Sequence, residues 1–479
     1  MSEFSEVISQ FITSKNIKMY DLIDYCKIDR STLYQIIKGK RNPPSNAVLR
    51  QMADFMQLTV SEREDLQKAA DITRVGEKVY YRRQSVENFL CTFPTDISEI
   101  WYRRMNPSGK TDVLFPQSAC TALSTNVDVN HFIQNMLIYE MQKEHGHIAL
   151  ILQPDNTLLF QTLTGFLPEK PVLVEQLVCM SSVEEQDAAH SLLHIKNLEM
   201  TFPLYVRKNI DYHSYYYYDK VESHFRNMNG YSCMVLTSEH AMLCTSDYRQ
   251  GIFFEEPEVV KDMWSMYQGY KNKCSELFRF LDIALEDKEQ ISRMVSMVDY
   301  SRPYYILERE PCLEPLLSKD ILEKYLDPSI PDKDQYTMLL DGYISELQNT
   351  LNEGRFKVYF TRPGLENFIK EGFTIALPNG LLIPLEKEDK VKILGRLKAC
   401  CHQGSYRMLG QRLEKISPNL HLGINGGMVY LTFTAPDQHV KYLLVTEPQI
   451  LYMFKDYVEN LDEESLCSVE ETEQYIDHS

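Results

Sequence analysis

The stretch that most constrains the fold runs from residue 18 to residue 40 and reads KMYDLIDYCKIDRSTLYQIIKGK. Its apolar residues recur at i, i+3 and i+4, which places them on one side of each of two short helices. The first helix would carry Met19, Leu22, Ile23 and Cys26, and the second would carry Leu33, Ile36 and Ile37. Asp29 or Ser31 can cap the start of the second helix, and Gly39 can end it. The stretch therefore predicts two helices joined by a tight turn.

Further apolar stripes flank this helix pair. Their members are Phe4, Val7, Ile8, Phe11 and Ile12 before the pair, and Val48, Leu49, Met52, Ala53, Phe55, Leu66, Ala69 and Ala70 after it. Five short helices can bury a shared core, because each contributes one apolar side. We therefore predict an all-α N-terminal domain over residues 1–75.

Residues 4–71 resemble the phage-repressor-type (XRE) helix-turn-helix family, through the runs DRSTLYQIIKGKRNPP and LRQMADFMQLTVSEREDL. The resemblance implies a DNA-binding domain whose second helix of the pair enters the major groove. By position it implies base contacts from Arg30, Ser31, Tyr34 and Gln35, and phosphate contacts from Lys18, Lys38, Lys40 and Arg41. Arg can pair with guanine and Gln with adenine, whereas phosphate contacts set the register.

The chain departs from the family pattern at two positions. Ile23 stands where a small residue is usual, and Lys27 stands in the turn where Gly is frequent. A bulky Ile23 would widen the angle between the two helices, and Lys27 must tolerate the geometry of the turn. Both departures bear on the DNA contacts more than on the helical fold.

The charge distribution fits a DNA-binding N-terminus on an acidic chain. The net charge is −18, but residues 1–90 hold 14 Lys and Arg against 12 Asp and Glu. Residues 27–41 alone carry five positive charges and one negative charge, so cations are concentrated where a phosphate backbone would lie. A weakly basic domain binds better in two copies, because the second contact becomes intramolecular. We therefore predict a homodimer on double-stranded DNA.

Beyond residue 110 short apolar runs alternate with helical periodicity, which predicts an α/β (α+β) regulatory region. Strands are expected at 147–153, 171–180, 214–219, 231–238 and 241–246, and helices at 126–144 and 182–200. The order of strand, Glu-Pro and amphipathic helix occurs twice, at Glu256-Pro257 and at Glu447-Pro448. This repetition indicates two related sensor-like units.

At 479 residues the chain is too long for one core, so several domains are expected. The predicted order is a helix-turn-helix domain (1–75), a connector (76–110), an α/β unit (111–278), a helical connector (279–355), a second α/β unit (356–461) and an acidic tail (462–479). The tail holds seven acidic residues and neither Lys nor Arg, which is typical of a frayed terminus.

Residues 234–278 resemble sensor domains of bacterial regulators related to the phospholipase-D half-barrel. The catalytic pattern of that superfamily is HxKxxxxD, and His194-Ile195-Lys196 supplies its first part. Thr201 stands where the pattern requires Asp, so the His would lack its orienting partner. His190 and His194 share one helix side, but the Glu of a zinc HExxH motif is missing. The sequence therefore predicts neither catalytic residues nor a metal site.

No cofactor motif, nucleophile elbow or secretory signal is found in the sequence, and no apolar run is long enough for a membrane span. The expectation is a bacterial-type cytoplasmic transcriptional regulator without catalysis, controlled by an unknown small-molecule or peptide effector. One alternative is an enzyme or defence effector that carries the helix-turn-helix for targeting or autoregulation. Another is an interaction protein whose helical N-terminus docks a protein partner.

Overall fold

The computed structural model describes residues 2–94, 115, 118–180, 188–219, 230–283, 288–328, 330, 332–372, 382–418, 420–434, 440–461 and 465–478. The chain divides into two compact units. The first comprises Met1–Ser85 with Asp187–Leu192, and the second comprises Val86–Gln186 with Leu193–Ser479. The first unit is helical and the second contains two mixed sheets, which agrees with the predicted multidomain α and α+β class.

The N-terminal unit is built from short amphipathic helices. They are α1 (Glu3–Ser14), α2 (Met19–Cys26), α3 (Arg30–Ile37), α4 (Asn46–Phe55) and α5 (Val60–Val75), followed by α6 (Glu77–Thr92), within which the unit ends. Each of the first five contributes buried apolar residues to one core, among them Ile8, Leu22, Leu33, Met52 and Ala70. Thr59 and Glu62 close a reciprocal capping box at the start of α5, which fixes where that helix begins.

The second unit begins with an eight-stranded sheet, sheet 1, ordered β1-β7-β6-β5-β2-β3-β4-β8. Its strands are β1 (Cys120–Leu123), β2 (Gly146–Ile151), β3 (Val172–Met180), β4 (Ile210–Tyr218), β5 (Cys233–Leu236), β6 (Ala241–Cys244), β7 (Gly251–Phe254) and β8 (Ser275–Glu276). Its helices are α7 (Asn126–Met141), α8 (Thr157–Gly165), α9 (Ala188–Tyr205) and α10 (Pro257–Lys271). Strands β2, β3 and β4 run parallel, so α8 and α9 serve as their crossover connections.

A seven-stranded sheet, sheet 2, follows in the order β12-β11-β10-β13-β14-β15-β9. Its strands are β9 (Phe278–Ile283), β10 (Tyr304–Glu308), β11 (Phe356–Phe360), β12 (Tyr406–Met408), β13 (His421–Asn425), β14 (Met428–Thr434) and β15 (Val440–Val445). Its helices are α11 (Lys288–Ser296), α12 (Lys319–Tyr325), α13 (Lys333–Asn352), α14 (Arg362–Glu371), α15 (Lys387–His402), α16 (Pro448–Glu459) and α17 (Val469–His478).

The two sheets have the same connectivity. Strands β9 to β15 occupy in sheet 2 the positions that β1 to β7 occupy in sheet 1, in the same sequence order. Strand β8 is an additional edge strand of sheet 1. Strands β10, β11 and β12 are parallel, as are β2, β3 and β4, and the remaining neighbours pair antiparallel in both sheets. In both sheets a Glu-Pro pair stands at the start of the helix that follows the last strand of the antiparallel part. This helix is α10 after β7 in sheet 1 and α16 after β15 in sheet 2.

The main core of the second unit lies between the two sheets. Phe202 on α9 contacts Phe433 on β14 at 5.2 Å between ring centroids, and Phe89 on α6 contacts Phe454 on α16 at 5.9 Å. The opposite face of sheet 2 has a separate apolar core under its own helices. Among the described helices, none combines the length and apolar content that crossing a bilayer requires.

Two predicted regions differ from the structure, and a third is described only in part. Residues 279–355, predicted as a helical connector, contain most of β9 and all of β10, because pairing with β15, β11 and β13 fixes these short apolar runs as strands. The tail predicted as frayed contains α17, whose Ile476 is buried and whose Asp477 pairs with Lys398 at 2.6 Å. The connector 76–110 begins as α6, and its residues 95–110 lie outside the described part of the chain.

Candidate nucleic-acid interface

The turn between α2 and α3 consists of three residues, since α2 ends at Cys26 and α3 begins at Arg30. Lys27 adopts the left-handed conformation with φ +49°, which is the conformation that favours Gly. Asp29 is the N-cap of α3, and its side chain accepts the backbone N–H of Thr32 at 3.0 Å. The tight turn predicted from the sequence is therefore present, with Lys27 in the place where Gly would be least strained.

Hydrogen bonds keep the Asp29 cap ionised. The Ser31 hydroxyl donates to Asp29 Oδ2 at 2.5 Å, so Ser31 supports the cap rather than forming it. These bonds, from the Ser31 hydroxyl and then from the Thr32 N–H, hold the pKa of Asp29 below its usual value. A carboxylate at this position also faces the positive end of the α3 dipole. The start of α3 is thus fixed by one residue and its two donors.

The four residues predicted to contact bases all lie on the exposed side of α3. Arg30, Ser31, Tyr34 and Gln35 are solvent-exposed, whereas Leu33 and Ile36 on the other side are buried. The spacing i, i+1, i+4 and i+5 keeps the four within one arc of the helix. The Arg30 guanidinium lies 5.7 Å from the centroid of the Tyr34 ring, so the two side chains form one surface. The structure therefore brings the predicted set together.

The four residues predicted to contact phosphates are exposed as well and border the same helix pair. Lys18 is the N-cap of α2 and Lys38 the C-cap of α3. Gly39 has φ +65°, which reverses the chain and lets the Lys40 N–H donate to the Gln35 carbonyl at 2.9 Å. Arg41 then returns to the first turn of α3, where its Nη1 donates to Thr32 Oγ1 at 2.9 Å. Cations thus flank the exposed side of α3 at both ends.

Two features of α2 matter for the interface. Ile23, the other departure from the family pattern, is half-buried and packs against the core of the unit. Tyr20 is 78% exposed and Tyr25 is 52% exposed, and neither is among the residues predicted to contact DNA. The Tyr25 ring contacts Phe55 of α4 at 5.1 Å, which holds it in place. The signal available in the sequence was the position of Tyr20, two residues after the predicted phosphate contact Lys18.

The described histidines His147 and His194 of the second unit have different surroundings. His147 Nε2 lies 3.0 Å from Glu175 Oε2, whereas His194 is buried on α9. The hydroxyl of Thr201, at the position where the HxKxxxxD pattern has Asp, donates to the carbonyl of Asn197 at 2.7 Å. Within the described residues, no three His, Cys, Asp or Glu side chains are grouped as a metal site would need.

Comparison with known proteins leaves the family of this chain open. No family model and no curated protein matches the chain. Among solved structures, TrmBL2, an archaeal chromatin protein with a novel mode of DNA binding, aligns over 49% of this chain and 72% of its own, with 10% identity and a TM-score of 0.21. The polyphosphate kinase of Porphyromonas gingivalis aligns over 92% of this chain and 65% of its own, with 10% identity and a TM-score of 0.21. At these TM-scores neither protein's activity is carried over to this chain.

Proposed function

We propose that this chain is a sequence-specific DNA-binding transcriptional regulator in which α2 and α3 form an XRE-type helix-turn-helix. The observation that carries the proposal is the exposure of all eight side chains expected to contact DNA, on and beside α3. The apolar side of α3 packs in the core of the N-terminal unit, so its polar side is available to a partner. In this proposal α3 is the recognition helix, with Arg30 and Gln35 as readers of bases.

The charge pattern supports double-stranded DNA as the partner. Lys18, Lys38, Lys40 and Arg41 surround α3 with cations that can neutralise phosphates. Two copies of the N-terminal unit in a homodimer would read paired half-sites, as is common for this class of domain. The acidic remainder of the chain repels DNA, which confines binding to the basic surface.

The second unit is proposed to be the regulatory part, with no catalytic activity of its own. The shared connectivity of sheets 1 and 2 supports two related sensor-like units. An effector that binds one conformation of this unit better than another would bias how well the dimer engages DNA. The Thr201 hydroxyl in place of a catalytic Asp favours this role over that of a phosphodiesterase.

Selection of DNA fragments by the purified full-length protein tests the proposal. We expect enrichment of a short, two-fold related motif, and we expect Arg30→Ala and Gln35→Ala to relax preference at separate base positions by about 1–3 kcal/mol each. Lys38→Ala should instead weaken binding to all fragments about equally. Lys261→Ala, which removes an exposed cation from α10, is the matched control and should leave selection unchanged.

Three outcomes would count against the proposal. Retention of random fragments without a motif would remove sequence specificity. A salt-insensitive complex with a protein partner would favour the interaction protein. Turnover of a substrate that survives loss of Arg30 and Gln35 would favour the enzyme that carries the domain for targeting.

A further inference from the structure

A row of polar side chains crosses four neighbouring strands of sheet 2. Glu308 at the end of β10 pairs with His421 on β13, His421 pairs with Thr432 on β14, and Thr432 pairs with Tyr442 on β15. Residues paired in this way lie side by side and project from the same face of a sheet. Glu308 and His421 are joined by a hydrogen bond through His421 Nδ1. We call these four residues the polar row.

Two atoms of the polar row are buried without a hydrogen-bond partner among the described residues. They are Glu308 Oε1 and Thr432 Oγ1. Glu308 is 2% exposed and Thr432 is 6% exposed, so bulk water does not satisfy either side chain. Buried polar atoms in folded proteins are almost always paired with protein, water or ligand. Two unpaired atoms in one row can therefore each accept a hydrogen bond from water or from a ligand.

The two residues with unpaired atoms lie on strands that are not neighbours, which allows an occupant larger than one water molecule. Glu308 and Thr432 are separated by one intervening strand, β13, which places their backbones about 10 Å apart. A single water makes hydrogen bonds of about 3 Å and needs two or more polar partners nearby. A molecule with hydrogen-bond donors at two positions can reach both residues along the row.

The surroundings of the polar row are anionic and aromatic. Glu314 lies in a short 3-10 turn (Glu314–Leu316), accepts a hydrogen bond from Cys312 Sγ at 2.9 Å and acts electrostatically on His421. The Tyr430 ring stacks on the His421 ring with centroids 6.0 Å apart. Two carboxylates around one histidine leave an excess of negative charge, and tyrosine rings attract cations through their faces.

Tyr343 on α13 and Tyr442 of the polar row are the partly exposed tyrosines of this region. Burial raises the pKa of Tyr343 on α13 and of Tyr442, and Glu314 adds to both shifts, so their hydroxyls stay neutral. Both residues are half-buried rather than fully enclosed. These two rings therefore form the partly exposed side of the region.

We propose that the polar row of sheet 2 binds a small primary amine. The ammonium group would donate to Glu308 Oε1, a second donor of the ligand would reach Thr432 Oγ1, and Glu314 and the tyrosine rings would hold the remaining positive charge. Hydrogen-bond donors are required, so a primary ammonium fits and a quaternary ammonium does not. The inference stands on the second unit alone and does not depend on DNA binding.

The test uses the full-length protein with 1,4-diaminobutane and methylammonium as probes, at a pH near 8 where Glu308 is ionised. We expect 1,4-diaminobutane to release or absorb heat on titration and to raise the unfolding temperature. Glu314→Gln and Thr432→Val should each weaken its binding at least about tenfold, because each removes one polar partner. Thr432→Val should at the same time raise the stability of the ligand-free protein, since it removes an unpaired buried hydroxyl.

Thr350→Val is the matched control. Thr350 is also buried, but its hydroxyl donates to the Glu346 carbonyl at 2.8 Å, so this substitution should lower stability and leave amine binding unchanged. Failure of both probes to bind would mean that the row holds water only and would overturn the proposal. Equal binding by wild type and the two row variants would overturn it too, as would equal binding of tetramethylammonium.

Discussion

Lys27 pays a conformational cost to make the α2–α3 turn, because a residue with Cβ is strained at φ +49°. Lys27→Gly should relieve this strain and raise the free energy of unfolding of the N-terminal unit by up to about 1 kcal/mol. Denaturant unfolding followed by circular dichroism measures the change. Lys27→Ala is the control and should give no gain, since it removes the charge and keeps the strain. A Gly variant less stable than the Ala variant would contradict the turn geometry.

Gly423 leaves room for the Tyr430 ring on the neighbouring strand. A Cβ at this position would lie 1.9 Å from Tyr430 Cζ, which is far inside van der Waals contact. Gly423→Ala should therefore push the ring away from His421 and destabilise the second unit by about 1–3 kcal/mol, as overpacking of cores does. Thermal and urea unfolding measure the loss. Gly427→Ala is the matched control, because no heavy atom stands within 4 Å of its added Cβ.

At the scale of elements, the sequence predicted what local periodicity controls. Helices α2 and α3 follow from apolar spacing and a capping Asp, which act within a few residues of each other. Strands β9 and β10 were missed because FRFLDI and YYILE are short apolar runs whose type depends on distant partners. The polar row could not be predicted for the same reason, since sheet register alone brings Glu308 next to His421.

The pairing of β10 with β13 makes stability depend on pH. Burial raises the pKa of Glu308 to about 7 against the opposing effect of His421, and Glu314 and Glu310 add smaller contributions in the same direction as burial. Burial lowers the pKa of His421, but the Glu308 carboxylate outweighs it and the pKa is raised overall. The folded pair therefore keeps a proton that the unfolded chain releases, so this contribution to stability falls as pH rises from about 4.5 through about 7.

Glu308→Gln should flatten this dependence. The free energy of unfolding of the wild-type protein should fall by up to about 3 kcal/mol as the pH rises through this range, since one pKa unit corresponds to about 1.4 kcal/mol. Urea unfolding at about pH 5 and about pH 7.5 gives the two free energies. Glu323→Gln is the control, because Glu323 is 56% exposed and makes only a 3.9 Å ion pair with Lys319. The same slope in wild type and Glu308→Gln would show that other groups carry the effect.

At the scale of the whole molecule, one connectivity is used twice with different chemistry. Glu447 is buried at the start of α16, where it caps the helix through Ile450 N–H at 2.7 Å and accepts the Tyr218 hydroxyl. Glu256, at the same place before α10, is exposed and makes no side-chain cap. The equivalent position is thus buried beside sheet 2 and solvent-exposed beside sheet 1. One connectivity can in this way present two chemically different surfaces.

The proposed dimer makes a prediction that only the whole molecule can test. Each copy offers four cations to phosphates, so two copies should neutralise about eight, and the logarithm of the DNA association constant should fall with the logarithm of salt concentration at a slope of about −7. A monomer would give about half that slope. Fluorescence anisotropy over a salt series measures it, alongside the mass of the complex by light scattering. Lys38→Ala should reduce the slope by about two in a dimer and by about one in a monomer. The wild-type slope and the change caused by the substitution therefore give two independent measures of the number of copies bound, and the two must agree.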